Sequence, residues 1–240
     1  PKEEWLSDKW FDAFSRSLKN AESNGMTLGY CDEYWWPSGQ AAGRVLQQHP
    51  ELEAKYLDWK RYEVKGSSNV QYDSADFAVA AKLDKKLIDQ SSLTIIGEGN
   101  QIKWTAPAGN WVVYTYTIKH HPGFDGGKVN YLDPDLMKVF IQVVHEKYAL
   151  HYGDKLGYSI PGSFIDNEGD FGWQMAWSDY LAAQYKEIKK RDIRLWLPLL
   201  TEKDKDGIYA KARCDWYDGV SDVYISCYFR PAVDWLNQHN

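Results

Sequence analysis

Two groups of acids in this chain stand beside tryptophans. Asp32 and Glu33 are followed by Trp35 and Trp36, and Asp166, Glu168 and Asp170 are followed by Trp173. Breaking a glycosidic bond calls for two carboxyl groups, one protonated to assist the leaving oxygen and one ionised to activate water or attack the sugar. Indole rings stack on the C–H faces of pyranoses while nearby carboxylates bind the hydroxyls. On residue type, Glu168, Glu33, Asp32 and Asp166 are the candidate catalytic carboxylates. Trp35, Trp36, Asp170 and Trp173 are the candidate sugar-binding groups. The competing reading of each acid is a helix cap or a solvated turn, and of each tryptophan a core residue.

Other patterns are less complete. His145-Glu146 opens an HExxH motif, but Ala149 stands where the second zinc-binding histidine belongs. Glu202, Asp204, Asp206 and Gly207 imitate the front of an EF-hand loop, yet Arg213 occupies the position of the bidentate glutamate, so a turn that starts a helix is the better reading. No GxSxG is present, and Ser38 in Pro-Ser-Gly reads as a helix cap rather than a nucleophile. His120-His121 reads as a solvated loop pair. The three cysteines, Cys31, Cys214 and Cys227, form no CxxC and are odd in number, which indicates neither a zinc site nor a full disulfide framework.

The elements that must position these groups can be read from periodicity. Residues 5–24 place Trp10, Phe11, Phe14, Leu18 and Ala21 on one helical stripe with Gly25 as a stop. Met26 to Cys31 reads as a strand, the Asp32 to Gly39 segment as a loop, and residues 41–56 as a helix. From about Lys60 to Lys119 the pattern becomes strand-like, with β-rich runs at 61–65, 77–83, 93–96, 101–105 and 111–118 separated by turn signals such as Gly97-Glu98-Gly99-Asn100. Asp133-Pro134 starts a helix that closes near Gly153, with Leu136, Phe140, Val144 and Tyr148 on its buried stripe. A strand at 163–166, a helix at 178–190, a strand at 193–200 and a long helix at 207–238, kinked at Pro231, complete the reading.

Strands alternating with helices imply a parallel sheet with crossover helices. No GxGxxG or GxxxxGK[ST] follows any strand, which removes support for a nucleotide-binding doubly wound sheet. The expected fold class is therefore α/β, a (β/α) TIM-barrel-like arrangement, incomplete over this stretch, with an antiparallel β-rich insertion. The expected divisions are 1–59 and 120–240 for the barrel and 60–119 for the insertion. Acids at the C-terminal strand ends of such a barrel carry the functional weight.

Composition sets the outer bounds. The 240 residues are 44% hydrophobic with a net charge of -6, so a core can be buried and disorder is excluded. Scattered Lys and Arg and a pI near 5.5 argue against nucleic acid as a partner. No apolar run is long enough for a membrane helix. With 12 Trp and 17 Tyr, an oligosaccharide or polysaccharide fits better. The opening Pro1-Lys-Glu-Glu-Trp is neither a signal peptide nor a natural initiator, and the chain ends where another strand is due, so further domains of the same parent chain are expected.

The run Gly29-Tyr30-Cys31-Asp32-Glu33-Tyr34-Trp35-Trp36-Pro37-Ser38-Gly39, continued through Arg44-Val45 and His49-Pro50-Glu51, resembles the Asp-Glu-Tyr-x-x-Pro-Ser-Gly segment of glycoside hydrolase family 106, the α-L-rhamnosidases. Val129 to Pro134 with Phe140-Ile141 and His145 to Tyr148 is similar to a later helix of that family. The departure lies at the second acid group, Asp166-Asn167-Glu168-Gly169-Asp170, where the family commonly has an adjacent Asp-Glu. The resemblance implies an inverting glycosidase, a Ca2+ ion near the sugar held by oxygen ligands rather than by His145 or His151, and a further catalytic glutamate beyond Asn240. A periplasmic or extracellular location is the accompanying expectation. The alternative is a non-catalytic carbohydrate-binding barrel domain with Trp35, Trp36 and Trp173 as its stacking platform.

Overall fold

The structure, a computed structural model, describes residues 4–121, 128–167, 175–204 and 206–239. The chain opens with α1 (Asp8–Ser23), β1 (Tyr30–Cys31) and α2 (Arg44–Gln48). Seven strands follow: β2 (Lys55–Lys65), β3 (Asn69–Asp73), β4 (Phe77–Asp84), β5 (Leu87–Ile88), β6 (Thr94–Glu98), β7 (Gln101–Thr105) and β8 (Asn110–His120). Next come α3 (Leu136–Phe140), α4 (Glu146–Tyr152), β9 (Ser163–Phe164) and β10 (Met175–Trp177). The last helices are α5 (Asp179–Lys189), α6 (Leu197–Thr201), α7 (Ala210–Tyr224) and α8 (Arg230–Gln238). Two compact units result, one of 1–54, 121–171 and 224–240, the other of 55–120 and 172–223.

In the first unit, α1 forms where its stripe predicted. Ser7 caps it by accepting the Trp10 amide at 3.3 Å, and Phe11 and Leu18 are buried. It packs on α4: the Trp10 indole donates to the Tyr148 hydroxyl at 3.1 Å, and the Tyr152 hydroxyl donates to the Phe11 carbonyl at 2.8 Å. Between α3 and α4 the helix widens into a π turn, Ile141–His145, which brings Val143, Val144 and His145 all inside. One extra residue in a turn rotates everything after it, and such bulges recur at functional sites. The expected long C-terminal helix is interrupted in the same way, by a π turn at Ile225–Phe229 directly before α8. Pro231, in the first turn of α8, lacks the N–H that a regular helix would need there.

The second unit is built on antiparallel pairing. β10, β2, β8 and β4 lie side by side, with β5 and β6 also pairing with β4, and β2 pairs with β8 along its whole length from Lys55↔His120 to Lys65↔Asn110. One face of this sheet carries Tyr114, whose hydroxyl donates to Glu202 at 2.5 Å, and Arg61, which holds the same carboxylate at 2.8 Å. The opposite face buries Val64, Ala78, Ala80, Trp111 and Val113. A separate two-stranded sheet of β3 and β7 packs there through Val70, Tyr72, Ile102 and Trp104.

This architecture corrects the expectation of a parallel (β/α) TIM-barrel-like fold. β1 and β9 do pair in parallel, Tyr30↔Ser163 and Cys31↔Phe164, but every other strand pairing among the described residues is antiparallel. The fold is mixed α/β. The run Ile193 to Leu200, expected as a parallel strand, is a 3-10 turn (Ile193–Trp196) leading into α6. A short apolar run fits a buried strand and a buried helix equally well. Here Asp192 caps the turn by accepting the Arg194 amide at 3.0 Å, and Pro198 sits at the start of α6 where its missing N–H costs nothing. The helix expected at 41–56 shrinks to α2 and a 3-10 turn at Pro50–Leu52, and β2 has begun by Lys55.

Candidate functional site

The site grows from the end of β1. Side chains alternate across a strand, so Tyr30 turns inward, Cys31 outward, and Asp32 inward again to complete burial. Glu33, at 7% exposure, is also enclosed. Its carboxylate accepts four backbone amides: Tyr34 at 2.9 Å, Gln40 at 2.9 Å, Ala41 at 2.6 Å and Ala42 at 2.7 Å. Consecutive amides pointing at one anion form a nest. To make it, Ala41 and Ala42 adopt left-handed backbone with φ of 50° and 56°, a conformation that costs an L-residue about 1–2 kcal/mol. Hydrogen bonds to a charged acceptor contribute about 1.5–3 kcal/mol each, enough to hold that strain. Burial pushes the Glu33 carboxyl upward while the four amides favour its ionised form. The result is a loop, 34–42, closed at its base by one carboxylate. Its two oxygens are fully committed to the loop.

Ser38 is the second anchor. Its hydroxyl donates to Asp32 Oδ1 at 2.6 Å and accepts the Asp166 amide at 2.9 Å, while its own amide donates to the Asp166 carbonyl at 2.9 Å. Its carbonyl accepts from the Tyr131 hydroxyl and from Asn167 Nδ2, both at 2.9 Å. The loop after β1 is thereby fastened to the segment after β9. Next to it, Gly39 has φ of +119°, and a Cβ there would meet Tyr131 at 2.8 Å. Both the backbone angle and the close ring demand glycine.

Behind Asp32 lies a histidine. His145, wholly buried, is joined at Nδ1 to the Tyr30 hydroxyl at 2.8 Å, and its Nε2 faces Asp32 Oδ2 at 3.7 Å. That distance exceeds a hydrogen bond, and neither facing atom has a hydrogen-bond partner among the described residues. Burial dominates both titrations. It raises the Asp32 carboxyl to about 7 against the opposing bond from Ser38, and it lowers the His145 imidazole to about 4. Between about pH 4 and about pH 7 the pair is largely a carboxylic acid beside a neutral imidazole.

The tip of the loop presents rings to solvent: Trp35 is 74% exposed and Trp36 50%. Beneath it, Tyr34 lines a recess of about 430 Å³ with Trp5, Trp10, Phe14, Cys31 and Tyr148. Asp166 is half-buried at the edge of the same loop. Glu168, Asp170 and Trp173 lie outside the described residues, and with them the expected separation of two working carboxyls. Among the described residues no group of three or more His, Cys, Asp or Glu side chains is gathered as if to hold a metal ion.

No protein-family model matches the chain, and no curated protein matches it in sequence. Its structure, however, matches the solved structure of a rhamnosidase from Novosphingobium sp. PP1Y with a TM-score of 0.62. The fold is shared. At 10% sequence identity the likeness covers 98% of this chain and 40% of the rhamnosidase chain, so the present chain spans well under half of that protein's length.

Asp32, Glu33, Trp35, Trp36 and Asp166 are thus brought into one neighbourhood, with the acids below and the indoles above. Sequence reasoning took Ser38 for a helix cap and His145 for half of an incomplete zinc motif, and gave neither a place in the site. Ser38 caps no helix, since α2 begins after Gly43. His145 could have been flagged, because it falls beside the apolar stripe of Phe140, Val144 and Tyr148, and a buried imidazole needs a polar partner.

Proposed function

We propose that this chain is the part of an α-L-rhamnosidase-like glycoside hydrolase that presents the sugar-stacking loop. The observation that carries the reading is the pair of exposed indoles, Trp35 and Trp36, on a loop clasped by the buried carboxylate of Glu33 and moored through Ser38 to Asp166, within a fold shared with a rhamnosidase. In this reading the indoles receive a pyranose ring, and Glu168, two residues after Asp166 in the sequence, supplies the carboxyl that transfers the proton. Asp32 and Glu33 are positioning residues, because neither reaches solvent with a free oxygen. The family 106 likeness of the Asp32 to Gly39 motif supports the same assignment, and the substrate class is an oligosaccharide or polysaccharide.

A second reading, a carbohydrate-binding module without turnover, is favoured by the complete burial of Asp32 and the full engagement of Glu33. The complete parent protein separates them. On an aryl α-L-rhamnoside, Glu168→Gln is expected to lower kcat by about 10²–10⁴-fold, the usual contribution of a general acid or base, and Trp35→Ala to raise KM. Sugar binding by the parent with no turnover would establish the module instead.

A further inference from the structure

The second unit contains a cleft that the reading above does not use. On the face of the large sheet that meets the β3–β7 pair, β2 contributes Val64, Tyr62, Lys60 and Asp58 in succession, opposite Trp111, Val113, Thr115 and Thr117 of β8. At the Val64 end this face is apolar and covered. Toward Asp58 it turns polar where the short β3 ends at Asp73, leaving a cleft of about 540 Å³. Cavities of roughly 300–1,000 Å³ hold small molecules.

The lining specifies a ligand class. Tyr62, 37% exposed, stands with its ring 4.9 Å from that of Tyr72, so an amphipathic aromatic wall flanks the opening. Thr115 and Thr117 place hydroxyls on the floor. Charges at the rim are balanced: Lys119 pairs with Asp58 at 2.5 Å, and Lys60 and Asp73 are of opposite sign. Aromatic faces, hydroxyls and no net charge suit a polyhydroxylated ring with apolar C–H faces, and suit neither a phosphate nor a strongly cationic peptide.

We propose that this cleft is a second saccharide-binding site, taking a neutral pyranose ring against Tyr62 with its hydroxyls toward Thr115, Thr117 and Asp58. It operates independently of whether the first unit turns over a glycoside. Saturation-transfer NMR on the full chain, with methyl glycosides of L-rhamnose, D-galactose, D-glucose and D-xylose as probes and D-galacturonate as the anionic control, tests it. At least one neutral probe is expected to bind, and Tyr62→Ala to weaken it at least tenfold. Thr117→Trp, which fills the cleft without removing a core contact, is expected to do the same, both effects being read in the Trp35→Ala/Trp36→Ala background so that sugar stacked on the loop of the first unit does not contribute. Far-UV circular dichroism confirms that each variant is folded, and if Tyr62→Ala fails that check Thr117→Trp alone decides. The proposal is overturned if no neutral probe binds, if galacturonate alone binds, or if the folded cleft variants bind as the Trp35→Ala/Trp36→Ala background does.

Discussion

The buried Asp32–His145 pair makes a quantitative prediction about stability and pH. Asp32 moves from an ordinary 3.8 to about 7 on folding. Between those values the folded protein retains a proton that the unfolded chain has released. Its contribution to stability is therefore complete below pH 3.8 and lost as pH rises through 7. At about 1.4 kcal/mol per pH unit, that loss amounts to about 4 kcal/mol. His145 moves the other way, from 6.5 to about 4. The unfolded chain takes up a proton that the folded protein refuses, so stability is complete above pH 6.5 and lost as pH falls toward 4, by about 3 kcal/mol. Across pH 4 to 6.5 the two slopes nearly offset each other. Replacing one partner uncovers the other: Asp32→Asn should make stability rise with pH over this range, and His145→Gln should make it fall. Asparagine keeps an acceptor for Ser38, so the first variant is expected to fold. Of the neighbouring groups, the Glu33 and Asp166 carboxylates add to the upward push on Asp32 and are kept in all three proteins, and Tyr30, Tyr148 and Tyr228 titrate far above this range. Urea unfolding of the three proteins at half-unit steps from pH 4 to 8 reads the slopes directly. If both variants run parallel to the unaltered protein, burial does not control these groups and the account of the pair is wrong.

The loop clasp gives two further expectations. Glu33→Gln replaces one acceptor oxygen with an amide that points at backbone donors, and should destabilise the first unit by about 3 kcal/mol or more, on the scale of charged hydrogen bonds lost in a buried site; a urea midpoint unchanged from that of the unaltered chain would refute the nest. Gly39→Ala should cost about 2 kcal/mol or more through its positive φ and the Tyr131 ring, and thermal unfolding within a degree of the unaltered protein would show that the ring can move aside.

Local patterns were legible in the sequence wherever one face was buried and solvent marked the other. The stripe of α1 and the strand runs from Phe77 to Ile118 appear as read, and the helix expected to start at Asp133-Pro134 begins two residues later, at Leu136. The parallel-barrel inference failed at Ile193 to Leu200, an apolar run whose period does not distinguish strand from helix, and at β2, whose first residues looked like the tail of a helix. The acid-and-tryptophan neighbourhood around Asp32 was visible in residue types. What the acids do was not, because the roles of Glu33 and Ser38 depend on backbone amides and carbonyls that any sequence carries. The π turn that brings His145 behind Asp32 has no compositional signature either.

The Glu33 clasp grips main chain and not side chains: all four of its partners are amides that every residue except proline possesses. The loop is therefore a setting in which the stones can be changed. Trp35 and Trp36 can be replaced by other residues, and Tyr34 by any residue but proline, without disturbing the fastening, provided that Glu33, Ser38 and Gly39 stay. A lineage carrying this loop could retune what it touches by a few surface substitutions and leave its foundation untouched, and a library randomised at positions 34–36 would explore recognition while sampling almost no unfolded variants.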